Sequence, residues 1–193
     1  MDKKDERMKN IGILLIGLML VFSTACSDDD PQPAGDNVIN YDGPNDTAPT
    51  LASGFYEFGV RFTNRELSGS VGKSITEISF YMYDVLPRVT VTFSPDFTIS
   101  EPAEIQYSED VTNLTANAWN TFQLQTPFPI DGNPLWIGVK VDLPQAMQTI
   151  GCDAGPANAN GDWLYSDEPP TWDTFRALNN VSVNWNIRAT ISE

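Results

Sequence analysis

Tyr56-Glu57-Phe58-Gly59-Val60-Arg61-Phe62 decides the fold of this 193-residue chain. Apolar side chains alternate with polar ones or glycine, and a period of two is the mark of a strand with one buried face. The same period returns at Ile78, Phe80 and Met82, at Val89, Val91 and Phe93, and at Leu135, Ile137, Val139 and Val141. It returns last at Val181, Val183, Trp185, Ile187, Ala189 and Ile191. Shorter strands are predicted over residues 105–111 and 119–124, and residues 65–72 suggest a helical turn. Many short strands separated by Gly, Pro, Asn and Asp predict an all-β fold, an antiparallel β-sandwich of jelly-roll-like form. Residues 54–193 are enough for one domain with a single core. An outer-membrane barrel is a poor fit, because the strands are too few.

Outside this domain the pattern changes. Residues 26–53 carry Pro31, Pro33, Pro44 and Pro49 among Gly, Asn and Asp with almost no apolar period, and they read as a disordered tether. A flexible chain of about 26 residues spans roughly 28 Å. Residues 1–25 have the three parts of a secretory signal: Lys3, Lys4, Arg7 and Lys9, an apolar run over residues 11–22, and small residues at Ser23 and Ala25. That run is too short to span a membrane, which takes about 20 apolar residues.

Ser23-Thr24-Ala25-Cys26 closes the leader as a lipoprotein signal does, with Cys26 as the lipidated first mature residue. Each buried methylene contributes roughly 0.8 kcal/mol, so several acyl chains on Cys26 would hold the protein in a membrane leaflet. The following Ser27-Asp28-Asp29-Asp30 resembles the acidic export signal of surface lipoproteins in the Bacteroidota. That resemblance implies an outer-membrane lipoprotein facing the cell exterior.

Removing the leader takes four basic and three acidic side chains from 11 and 26, leaving seven and 23, a net charge of −16. Such a surface repels phosphates, which argues against nucleic acid as a partner. It suits neutral glycans, cationic peptides or divalent cations. The chain has no His, so Ser-His-Asp and Cys-His catalysis and His-based zinc sites are excluded. A carboxylate-only hydrolase remains as a third reading, but Glu57, Glu77, Glu104, Glu109 and Asp131 show no spacing that announces a catalytic pair. With Cys26 acylated, Cys152 has no partner, and a buried structural thiol is predicted.

A second resemblance lies in the β-domain. Ala118-Trp119-Asn120-Thr121, the run from Ile130-Asp131-Gly132-Asn133-Pro134 to Leu135-Trp136-Ile137-Gly138, Gly151-Cys152-Asp153-Ala154-Gly155-Pro156 and Trp185-Asn186-Ile187 are similar to an adhesin-like β-sandwich module. That module recurs in secreted and surface proteins of the Bacteroidota. The resemblance implies a non-catalytic unit that binds a glycan or a protein, for adhesion or nutrient capture, or an accessory subunit of a surface assembly. The segment over residues 94–104, with Pro95 and Pro102, departs from the module's tight hairpin.

Alternation points Trp136 away from the core, and Trp163, Tyr165 and Trp172 fall in a loop-rich region with several acids. Rings flanked by carboxylates suit sugars, so these four are the candidate ligand-binding residues. Trp119 and Trp185 lie in the strand pattern and are predicted to be core. Asp142, Asp153, Asp162 and Asp167 are candidate ligands for a structural Ca²⁺, which takes six to eight oxygens.

Overall fold

The computed structural model describes residues 37–95 and 104–193. Cys26, the leader, the acidic run and residues 96–103 lie outside the described residues. In chain order the strands are β1 (Val38–Ile39), β2 (Thr50–Leu51), β3 (Gly54–Phe62), β4 (Ser74–Met82), β5 (Val89–Pro95) and β6 (Tyr107–Val111). They continue with β7 (Ala118–Pro129), β8 (Leu135–Leu143), β9 (Met147–Gln148), β10 (Trp163–Asp167), β11 (Pro170–Thr174) and β12 (Ile187–Ser192). Two short α-helices, α1 (Asn64–Leu67) and α2 (Phe175–Asn179), and a 3-10 turn over Ser68–Ser70 complete the described elements.

All ladders are antiparallel. A four-stranded sheet runs β1-β12-β4-β7, a six-stranded sheet runs β11-β10-β3-β8-β5-β6, and β2 pairs with β9. The two large sheets pack as a β-sandwich, and successive strands repeatedly cross from one sheet to the other. Phe58, Val60 and Phe62 of β3 meet Ile75, Ile78, Phe80 and Met82 of β4 in one buried core. Trp185 is fully buried at its centre, its ring 4.9 Å from Phe58 and 5.0 Å from Phe175. Full burial of each such apolar side chain contributes about 1.5–3 kcal/mol. α1 begins on a capping box in which Thr63 and Glu66 satisfy each other's backbone N–H.

Four sequence expectations need correction. Residues 37–53, read as part of a tether, are joined to the domain. Val38 and Ile39 pair with Thr190 and Ala189, Thr47 bridges Cys152, and Thr50 and Leu51 pair with Gln148 and Met147. The attachment combines backbone hydrogen bonds and the buried Asp42 with packing of Ile39, Tyr41, Ala48 and Leu51 on the core, apolar residues too scattered to announce a strand pattern. Trp119 is not core. Phe122 and Leu124 set the inward phase of β7, which turns Trp119 to the outer surface, where the Arg188 guanidinium lies 4.0 Å from its ring centroid. The last strand begins at Ile187, and Val181 is exposed. Finally, residues 163–174 form a hairpin of β10 and β11 on the edge of the six-stranded sheet, where a loop was expected.

Candidate functional site

Strand alternation builds an aromatic face on the outside of the six-stranded sheet. In β8, Leu135, Ile137, Val139 and Val141 enter the core, so Trp136, Gly138, Lys140 and Asp142 point outward. β3 behaves likewise, with Phe55, Glu57, Gly59 and Arg61 outward. β10 buries Leu164 and turns Trp163 and Tyr165 out, and Trp172 of β11 stands directly opposite Tyr165.

The four predicted aromatic residues are thereby brought together. Ring centroids lie 5.2 Å apart for Trp136 and Trp163, 5.3 Å for Trp136 and Trp172, and 5.6 Å for Tyr165 and Trp172. Phe55, which sequence reasoning missed, joins edge-on to Tyr165 at 6.3 Å and 76°. Its odd position in β3, out of phase with Phe58, is the signal that places it here.

Two glycines clear space for this arrangement. Gly59 and Gly138 are cross-strand partners. A Cβ on Gly59 would lie 2.9 Å from Cζ3 of Trp172, so the indole rests directly on the bare backbone. A Cβ on Gly138 would lie 2.1 Å from Glu57 Oε1 and 2.5 Å from Thr92 Oγ1. Glu57 thus folds over Gly138. Its Oε1 accepts the Thr92 hydroxyl at 2.6 Å and its Oε2 faces Lys140 Nζ at 3.6 Å. Burial raises the Glu57 carboxyl above the ordinary glutamate range, with Lys140 and Thr92 opposing that rise.

Exposure divides the cluster. Trp136 is 5% exposed and Trp172 9%, so the outward-pointing Trp136 is covered by its neighbours and these two indoles form a floor. Trp163, Tyr165 and Phe55 are half-buried and meet solvent. The Trp163 indole N–H is buried and has no hydrogen-bond acceptor among the described residues, while its backbone carbonyl accepts Trp185 Nε1–H at 2.8 Å.

The four aspartates proposed for Ca²⁺ do not meet. Asp153 is buried and accepts four N–H bonds, from Gly43 N at 3.0 Å, Gly155 N at 2.9 Å, Asn184 N at 2.7 Å and Asn184 Nδ2 at 2.9 Å. Those donors occupy the oxygens that a cation would need. Asp162 is fully buried and faces Arg176 Nη1 at 2.9 Å; burial is the main cause that raises its carboxyl. Asp142 and Asp167 are exposed, and Asp167 Oδ1 accepts the Phe55 N–H at 3.4 Å. Among the described residues no three acids or cysteines gather as a metal site.

Cys152 is buried beneath its bridges to Thr47 and Trp185, and burial together with Asp153 and Asp46 pushes its thiol up to about 12. A thiol so protonated is a poor nucleophile. Comparison with protein-family models, curated proteins and solved structures returns no match for this chain.

Proposed function

We propose that this chain is a surface lipoprotein whose β-sandwich binds a glycan or a protein, without catalysis, through the outer face of its six-stranded sheet. The observation that carries the reading is the convergence of Trp136, Trp163, Tyr165 and Trp172 with Phe55 on one outward face. Large aromatic groups on the solvent side of a sheet are a recurrent basis of recognition, because they offer apolar area at little conformational cost. Sheet positions also hold them more rigidly than loops do. The leader, Cys26 and the acidic run support display at the outer membrane and exterior of a cell, where adhesion or nutrient capture would use such a face.

The test is binding of the full chain to glycan and surface-protein arrays, beside Trp163→Ala and Tyr165→Ala variants whose circular dichroism matches the parent. Loss of the bound ligands in both variants supports the reading. Parental affinity in both removes this face from the function. Cys26→Ser should release the protein from membranes, and retention would remove the lipid anchor from the account.

A further inference from the structure

We propose that the Phe55–Tyr165 end of this face receives an alkylammonium group, the lysine side chain of a partner protein. The inference rests on the reading of this face as the binding surface and chooses between its two ligand classes. Phe55 and Tyr165 stand at 76° to each other, so their half-exposed rings make two walls of a corner. An ammonium group beside such rings is drawn to their electron-rich faces.

The charge around the corner is acidic. Asp142 is the cross-strand partner of Phe55 on β8, and Asp167 on β10 contacts the Phe55 backbone from the other side. Glu168 follows Asp167 in the chain, and Asp167 and Glu168 both act to raise the neighbouring Tyr56 phenol after the larger effect of burial. Lys140, two positions from Asp142 on β8, is turned to Glu57, the carboxylate opposite it. Among the described residues no cation pairs with Asp142 or Asp167, so a ligand cation meets two carboxylates whose charge is not already opposed. The net charge of −15 over the whole chain favours the same partner at long range.

A sugar ring is the weaker fit. Stacking a pyranose requires an open ring face, and of the three indoles of the cluster Trp136 and Trp172 are 5% and 9% exposed, while the half-buried Trp163 packs on Trp136 at the other end from the corner. At the corner two partly exposed rings stand beside carboxylates, which suits a compact cation on a flexible stem.

The probe is Nα-acetyl-lysine methylamide, titrated into the full chain and followed by NMR, with its Nε-acetylated form as the neutral comparison and glucosamine as the sugar-borne amine. The charged lysine compound should give saturable shifts centred on Phe55 and Tyr165, and the neutral form should give none. Tyr165→Leu should weaken the lysine compound about two- to thirtyfold, the range of a single cation–π contact, and the pair Asp142→Asn/Asp167→Asn should weaken it as well by removing the opposing charge. Asp110→Asn, outward on β6 of the same sheet, should not. Equal binding of the neutral form, or unchanged affinity in the Asp142/Asp167 variant with its spectrum intact, overturns the proposal. Tighter binding of glucosamine than of the lysine compound overturns the choice of a protein partner. If the lysine compound fails while Trp163→Ala still abolishes an array ligand, this inference falls and the binding face stands. If Trp163→Ala changes nothing either, both fall.

Discussion

Arg188 and Asp42, 146 residues apart, form a buried ion pair that ties the first described segment to the last strand. Arg188 Nε lies 2.9 Å and Nη2 2.8 Å from Asp42 Oδ2, with the two side chains 3% and 0% exposed. The guanidinium also donates to the Gly43 carbonyl and covers Trp119, and Asn186 Nδ2 donates to the same carboxylate at 2.8 Å. One acid therefore organises donors from three side chains, Asn40, Asn186 and Arg188, on the outside of the four-stranded sheet.

Removing that acid leaves a buried cation without its counter-charge. Asp42→Ala should lower the unfolding free energy by about 3–5 kcal/mol. Urea unfolding measures it, and a loss of less than about 1 kcal/mol would show that the Gly43 carbonyl and Trp119 suffice for Arg188.

The folded unit should extend on its N-terminal side at least to Asn37. A fragment starting at Gly54 lacks β1, Asp42, the Thr47 bridge and β2, and it should melt far below one starting at Asn37. Equal melting temperatures would mean that residues 37–53 ride on the domain without supporting it.

Gly59→Ala places a methyl group where the Trp172 indole lies, at 2.9 Å. The expected cost is about 1–3 kcal/mol of overpacking, together with displacement of Trp172 from the floor of the cluster. Near-ultraviolet circular dichroism should lose part of its tryptophan signal, and an unchanged spectrum would contradict the packing described.

Glu57 should make stability fall with rising pH over a defined window. Exposed in the unfolded chain it titrates near 4.5, and burial raises it in the folded chain. Between those two values the folded protein keeps a proton that the unfolded protein has lost, so stability declines as pH rises through the window. Glu57→Gln removes this contribution, and its stability relative to the parent should climb as pH increases from about 4.5. A stability difference that stays flat with pH would refute the assignment.

Cys152 should resist alkylation in the native state. With its pKa near 12, almost no thiolate exists at pH 8, and burial blocks access. In a Cys26→Ser background, iodoacetamide should leave the folded protein unmodified by mass and label it fully in urea. Rapid labelling of the folded protein would rule out the buried, protonated thiol.

The central strands were legible because one face of each is apolar and the other is not. Phe58, Val60 and Phe62 in β3, and Ile137, Val139 and Val141 in β8, alternate without interruption, and all are buried. β10 and β11 were hidden because their large residues point outward. Trp163, Tyr165 and Trp172 lie on the solvent side and Leu164 on the inside, so both faces look apolar and the period disappears. Residues 37–53 were hidden for the opposite reason, since they attach by hydrogen bonds, one ion pair and a few scattered apolar side chains that leave no periodic trace. At the aromatic face, sequence named four of the five rings, but their common position depends on β10 lying next to β3, a long-range pairing that local pattern does not encode.

Gly59 and Gly138 also constrain how this face can change over evolutionary time. Each lies beneath a side chain that fills its missing Cβ, so enlarging either one disturbs an indole or a carboxylate instead of adding a contact. The middle of the face is thus closed to gradual tinkering. Diversification would have to occur at its margin, where Phe55, Asp142 and Asp167 do not touch the floor and can be exchanged one at a time. Relatives of this chain would then share a fixed centre and differ in the ligands their borders select.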